Sequence, residues 1–452
     1  MEENFMIMNA KDTVVTGVIK TDKGNVTFYG ENFKFTFMNT DTKEKIVIDA
    51  DENGYIWGKT YEGKIIAIYA KKSIKIKKTR VLNTWNYIIS RFAGVHKESI
   101  ISFKGIRFKN GVIRTIHPCN ALHEDYEKSK DGILAYRVDN DRKSYSINVG
   151  NETVSWNFGS EVNQRMSIEE GNSLSNGNAL LDILFDDQQG YKTFYDWYGY
   201  VCDFCSFLTF RNNIFFEKIF LLRETPYNVH EAFAECYVKS EGEVSVRKFV
   251  NIIPVSYIDD NVFNEIIKNI LKQDKKHKGL PIFITPKDDK DAKIMDVCKI
   301  RNICSALEME LDLDGVRLES NYNMMKLIEK VKKDVKEHRD GKDPLSAKEY
   351  DYIFGNISHW DQPLAERAYN AWKEHEDKVQ PLLNSYSIGI DQEKIEMFVK
   401  ERNNITHNGF NGIDEDVANT AFVLMGLVYC CALTRIKMST ELIRDIMGRS
   451  FF

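Results

Sequence analysis

The 452-residue sequence predicts an α+β protein, with an N-terminal antiparallel β-rich domain followed by a C-terminal all-α helical bundle. Three observations carry this reading. Short alternating segments fill the first third of the chain, apolar stripes at helical spacing fill the last third, and the length exceeds what one hydrophobic core organises. The expected division is a β-rich domain over 1–257, a linker and connecting segment over 258–293, and a helical domain over 294–452.

From Val14 to Thr153, segments such as Lys34-Phe35-Thr36-Phe37, Ile74-Lys75-Ile76-Lys77 and Ser144-Tyr145-Ser146-Ile147 alternate apolar with polar residues, the pattern of strands with one face buried. Lys23-Gly24-Asn25, Glu52-Asn53-Gly54 and Lys109-Asn110-Gly111 supply Gly and Asn where hairpin turns demand positive φ. Tyr191 to Phe210 is aromatic and less alternating, which predicts a helix laid on the sheet. Strand-like runs follow near Phe215 to Leu222 and Val244 to Val255. Two polar stretches, Lys272 to Lys278 and Lys287 to Lys293, bracket the run Leu280 to Thr285 and read as linker and loop.

The texture then turns helical. Val297, Ile300, Cys304, Leu307 and Leu311, spaced three, four, three and four apart, form one stripe suited to packing on another helix. The charged stretch Val331 to Asp343 reads as a solvated helix end and loop. Asp391 to Thr406 is the best-defined helix: Asp391 is placed to cap it, Ile390 and Ile395 occupy the staple positions, and Asn408-Gly409 supplies the stop. The apolar run Ala421 to Leu433 is shorter than the roughly 20 residues a membrane-crossing helix needs. It is expected as a core helix and as part of a dimer seam.

Composition narrows the function classes. A net charge of −5 excludes general coating of nucleic acid by a positive field, so any nucleic-acid contact must be local. The start, MEENFMIMNAKD, has neither the basic end nor the apolar stretch of a secretory signal, and a cytoplasmic location with no membrane partner is expected. Eight scattered cysteines are then expected as reduced thiols.

The chemistry concentrates in Arg402-Asn403-Asn404-Ile405-Thr406-His407. Ile395, Phe398 and Val399 set the apolar stripe of that helix, and Arg402 continues it, so its guanidinium is expected on the inward face. Asn403 and His407 are four apart and neighbours on an adjoining face near the helix C-terminus, where the backbone dipole favours a protonated imidazole. The form Arg, polar residue, three residues, His resembles the HEPN ribonuclease motif. With Asn408-Gly409 and the upstream Arg301-Asn302-Ile303-Cys304-Ser305-Ala306-Leu307-Glu308, the last 160 to 190 residues resemble the ApeA-type branch of that superfamily.

The resemblance implies a HEPN-like bundle and metal-independent cleavage of RNA in a homodimer, with the Arg and His of two protomers meeting across a helical interface. It implies neither metal nor cofactor. Catalytic roles fall to Arg402, which would hold the phosphate, His407, which would move protons, and Asn403, which would orient one or the other. It further implies a bacterial anti-phage role by abortive infection, tRNA among the substrates, and a phage-derived trigger acting on the β-rich domain. The length before the motif helix leaves room for an insertion around Glu349 to Gln380.

Competing readings attach to the same residues. A catalytically silent HEPN module for binding or dimerisation is the first, and a ligand-binding β-domain with an unrelated helical tail is the second. Arg91 and His96 are also five apart, but Phe92 and Gly94 break the pattern, and Pro226 breaks Arg223 to His230. Cys202 and Cys205, with Cys236 and His230, have irregular zinc-ligand spacing and read as buried thiols. Lys71, Lys72, Lys75, Lys77, Lys78 and Arg80 read as guards of an exposed strand, with RNA guidance as the functional alternative. Glu308 lies beside the stripe of its helix and stays outside the core assignment.

Overall fold

A computed structural model describes residues 13–40, 44–119, 122–124, 136–138, 141–167, 171–240, 253–271, 279–313, 322–339, 341, 344–357, 363–408 and 413–449. It divides into two compact units. One comprises Met1–Thr209 with Asn213–Asn264, and the other Phe210–Asn212 with Glu265–Phe452.

In the first unit the strands run β1 (Val15–Thr21), β2 (Gly24–Glu31), β3 (Lys34–Asn39), β4 (Ile46–Ile48), β5 (Tyr55–Thr60), β6 (Ile65–Tyr69), β7 (Ile74–Ile76), β8 (Thr79–Asn83) and β9 (Asn86–Ser90). After β10 (Ser102–Lys109) and the short helix α1 (Val112–Ile116) come β11 (Leu122–Glu124), β12 (Tyr136–Val138) and β13 (Lys143–Val149). Two long strands, β14 (Glu152–Ser167) and β15 (Gly171–Gly190), lead into α2 (Tyr191–Thr209), and β16 (Lys218–Glu224) and β17 (His230–Val238) follow.

Thirteen of these strands make one antiparallel sheet in the order β13-β14-β15-β10-β16-β17-β9-β6-β5-β1-β2-β3-β8. Alternation decides which face is covered. Val26 and Phe28 on β2, and Phe35 and Phe37 on β3, point to one side and are nearly fully buried. The β4/β7 ribbon brings Ile46, Ile48 and Ile76 into the same cluster. At the other end of the sheet α2 supplies the cover: Trp156 of β14 lies 5.2 Å from Phe204 and 6.2 Å from Trp197, ring centre to ring centre.

Two expectations change here. Lys109-Asn110-Gly111 turns the chain with positive φ at Asn110 and Gly111, but it opens α1 and does not close a hairpin. A side chain at residue 111 would collide with the Phe215 carbonyl, so the turn needs both the conformation and the close approach that glycine permits. Of the run Val244 to Val255, residues 244–252 lie outside the described residues, and Val255 sits in a single 3-10 turn, Val255–Tyr257.

The segment expected as linker, 258–293, carries structure of its own: α3 (Asp260–Leu271), a 3-10 turn at Ile282–Ile284 and α4 (Asp289–Ala292). Phe263 in the first turn of α3 stacks on Tyr145 with ring centres 4.0 Å apart. The Tyr145 hydroxyl donates to the carbonyls of Val255 and Ile258.

The second unit contains α5 (Val297–Leu313), α6 (Tyr322–Arg339), α7 (Ala347–Ile357), α8 (Leu364–Glu374), α9 (Glu376–Tyr386), α10 (Gln392–Asn408), α11 (Glu415–Arg435) and α12 (Thr440–Gly448). The predicted stripe of α5 is buried at Ile300, Cys304, Leu307 and Leu311. Among the described residues α11 alone is long and apolar enough to cross a membrane by length and composition, and most of it is buried inside the unit. It packs on α5, α9, α10 and α12, and Gly426 lets Leu382 of α9 approach its backbone closely.

The charged stretch Val331 to Asp343, expected as a solvated helix end and loop, begins in the mostly exposed second half of α6, which ends at Arg339 and packs chiefly on α7. Lys332 and Lys336 lie over the Phe354 ring, and Arg339 lies over Tyr350. The expected insertion does not stand apart as a whole. Its α8 packs on α5 and α10, buries Ala368, Ala371 and Trp372, and pairs Arg367 with Asp312 at 2.7 Å.

Two measurements probe this packing. The Trp156 indole N–H is buried with no acceptor. Trp156→Ala is therefore expected to cost about 3–5 kcal/mol in urea denaturation, and Trp156→Phe distinctly less, since it removes an unsatisfied donor along with some volume. His375 is buried between α8 and α9, and burial, then the neighbouring Lys378, holds its imidazole below the ordinary value. The unfolded chain then binds the extra proton more readily. Stability from this site is full above about pH 6.5 and is lost as pH falls below it, and His375→Gln should flatten thermal midpoints measured across that range.

Candidate active site

Helix α10 forms where the sequence predicts it, and Gly409 of the expected stop lies outside the described residues. Asp391 caps it, its carboxylate accepting from the Lys394 N–H at 2.9 Å. Ile395 and Phe398 are fully buried, Val399 is partly buried, and the stripe seats the helix on α5, α8 and α11.

Arg402, seven residues after Ile395, continues that face. Its side chain is one-third exposed, and its Nη2 lies 3.9 Å from Oε1 of Glu308 on α5. Nη1 donates to the Asn403 side-chain oxygen at 3.1 Å, and Asn403 itself is exposed. Next to this pair on α5, Cys304 has its thiol pushed up to about 12 by burial, with Arg402 drawing it down and Glu308 raising it. It is a neutral core thiol and not a nucleophile.

His407 lies in the last turn of α10, on unbroken helix with Arg402, and its side chain lies outside the described residues. The helical register puts position 407 about 40° around the axis from Asn403 and about 140° from Arg402, with a rise of roughly 7.5 Å from Arg402. The structure thus groups Arg402, Asn403 and Glu308. Glu308 is the residue the sequence reading left out. One turn after the buried Cys304, it sits beside the stripe facing α10, and only the α5–α10 contact reveals the pairing.

The competing constellations resolve into structural roles. Arg91 donates to the Ala232 carbonyl and lies over Phe220, in a loop where Gly94 has positive φ. Arg223 pairs across strands with Glu231. Cys202 and Cys205 on α2 and Cys236 on β17 have thiols raised by burial, Cys202 to about 12. Among the described residues no group of three His, Cys, Asp or Glu side chains could hold a metal ion. The Lys71 to Arg80 cations are exposed, and β8, which carries Arg80, is the terminal strand of the large sheet, the place where charge discourages edge-to-edge pairing.

Comparison of the chain with known protein families, curated proteins and solved structures found no match.

The Arg402–Glu308 contact is long and partly solvated, so it contributes little to folding. Glu308→Gln is expected to change unfolding free energy by less than about 1 kcal/mol in urea titration. A loss several times larger would mark the pair as structural.

Proposed function

We propose that the helical unit is a HEPN-like, metal-independent endoribonuclease that cleaves RNA, tRNA included, as a homodimer. The observation that carries this reading is the placement of Arg402: a partly buried guanidinium on the packed face of α10, beside Glu308 and bonded to Asn403, five residues before His407 on the same helix. At 3.9 Å the carboxylate contact is an ion pair longer than a hydrogen bond. A phosphate oxygen taking its place would gain charge-assisted hydrogen bonds.

In this reading Arg402 holds the scissile phosphate and stabilises the charge that develops on it. His407 takes the proton from the ribose 2′-hydroxyl or delivers one to the departing 5′-oxygen, the general acid and base work for which imidazole side chains are suited. The 2′-oxygen bonds to phosphorus as the bond to the 5′-oxygen breaks, leaving a 2′,3′-cyclic phosphate and a 5′-hydroxyl. DNA, without the 2′-hydroxyl, is not cut. The proposal extends to a cytoplasmic role in bacterial anti-phage defence by abortive infection, with the β-rich unit answering a phage-derived trigger. Support for that part is the resemblance of the Arg402 to His407 segment and its upstream helix to ApeA-type proteins.

The test is incubation of the purified protein with total tRNA in EDTA, followed by analysis of fragment ends. Cleavage leaving cyclic-phosphate ends is expected, lowered at least about 100-fold by His407→Ala and by Arg402→Ala. Cleavage unchanged by both substitutions would remove the site. A dimer that stays inert with tRNA, even with lysate of infected cells, would mark a silent binding or dimerisation module.

A further inference from the structure

The first unit holds a second candidate site, far in sequence from Arg402. On the outer side of β1 and β5 a groove of about 590 Å³ is lined by Val18, Ile65 and Trp57 together with Lys20, Lys59 and Lys97. Its lining, all among the described residues, contains three lysines and no carboxylate. The adjoining depression of about 520 Å³ shares Lys20, Trp57 and Lys97 and contains Asp22, Asp49 and Asp51, so the cationic character belongs to the first groove.

Trp57 is held in place. Its indole N–H donates to Asp51 at 2.7 Å, and its ring stacks on Tyr191 with centres 5.8 Å apart and planes 20° from parallel. The exposed Lys97 ammonium sits 4.7 Å from the ring centre, covering the indole with a long, flexible side chain. Gly58, Gly63 and the exposed Tyr61 complete the lining.

We propose that this groove binds the base–phosphate unit of a nucleotide, free or within a single strand. The base lies over Trp57 in place of Lys97, and the phosphate meets the ammoniums of Lys20, Lys59 and the displaced Lys97. Both halves of the chemistry are needed. A plain anion leaves the oriented indole unused, and an uncharged planar ligand leaves three ammoniums unpaired. Base stacking on an aromatic ring beside a cationic path is how single strands are held without reading their sequence. The net charge of −5 agrees with a local patch and not a general positive field.

The experiment uses the full chain with two probes, adenosine 5′-monophosphate and a fluorescein-labelled single-stranded oligodeoxyadenylate, which lacks the 2′-hydroxyl and so survives any ribonuclease activity. The labelled strand is expected to bind with an affinity that falls as salt rises. Lys20→Gln with Lys59→Gln, both exposed and distant from the core, should weaken binding about ten-fold with an unchanged thermal midpoint. Trp57→Leu should weaken it by a similar factor. Complete competition by adenosine 5′-monophosphate identifies a free nucleotide as ligand, and a strand at least ten-fold tighter than the mononucleotide identifies single-stranded nucleic acid. Absence of binding by the parent protein overturns the proposal. So does binding unchanged in both variants, or inorganic phosphate competing as well as the nucleotide.

Discussion

The helical unit depends on a buried ion pair. Arg435, the last residue of α11, meets Glu310 of α5 in a two-pronged contact, Nε to Oε2 at 3.0 Å and Nη2 to Oε1 at 2.9 Å. The Glu310 side chain is wholly buried. Arg435 also donates to the Asn269 side chain at the end of α3 and to the Gly279 carbonyl. One guanidinium thus joins three stretches of chain, and its position at a helix C-terminus adds the favourable end of the backbone dipole. Removing either partner would strand a charge in the interior, at a cost on the order of 3–5 kcal/mol.

That pair also sets the candidate site. Glu310 is two residues from Glu308 on α5, and α10 packs on both α5 and α11. The distance between Arg402 and Glu308 therefore follows from how α5 is seated against α11. Apolar burial along α11 drives the association but has little direction, since the helix is apolar on nearly every side. The ion pair supplies the register. It contrasts with the Arg402–Glu308 contact, which is longer, at 3.9 Å, and partly exposed.

Much of this was legible in the sequence because it rests on local rules. Asp391 as a cap, the Ile395 and Phe398 stripe and the α5 stripe follow from spacing, and α2 follows from its aromatic run. Alternation marked Lys34 to Phe37 and Ser144 to Ile147 as strands. Long-range pairing was not legible: β9 at Asn86–Ser90 pairs with β17 at Ala234–Val238, and alternation carries no address for a partner so far away. The lysine-rich end of α6 was legible as a solvated helix end but its first half was not, because little apolar surface is buried there, with Ile328 the buried apolar residue among those described. Polar flanks likewise hid the order within 258–293. Glu308 stood out as an acid beside the stripe of its helix, but its partner was not legible there, because that partner is a side chain nearly a hundred residues later.

Phe210–Asn212 carry a consequence for dissecting the molecule. They come between α2 and β16 in the chain yet belong to the helical unit, where Phe210 packs 4.6 Å from Tyr429 and the buried Arg211 bonds to Asp289. Phe263, in turn, lies beyond residue 257 and covers Tyr145. A fragment ending at 257 would carry Phe210 and Arg211 away from their partners and bare the Tyr145 ring, while the remaining piece would have an unfilled place beside Tyr429. The two units are thus laced by sequence. Stickiness or poor solubility of a piece cut at that point would report the severed lacing and say little about the β-rich unit's own capacity to fold or to bind.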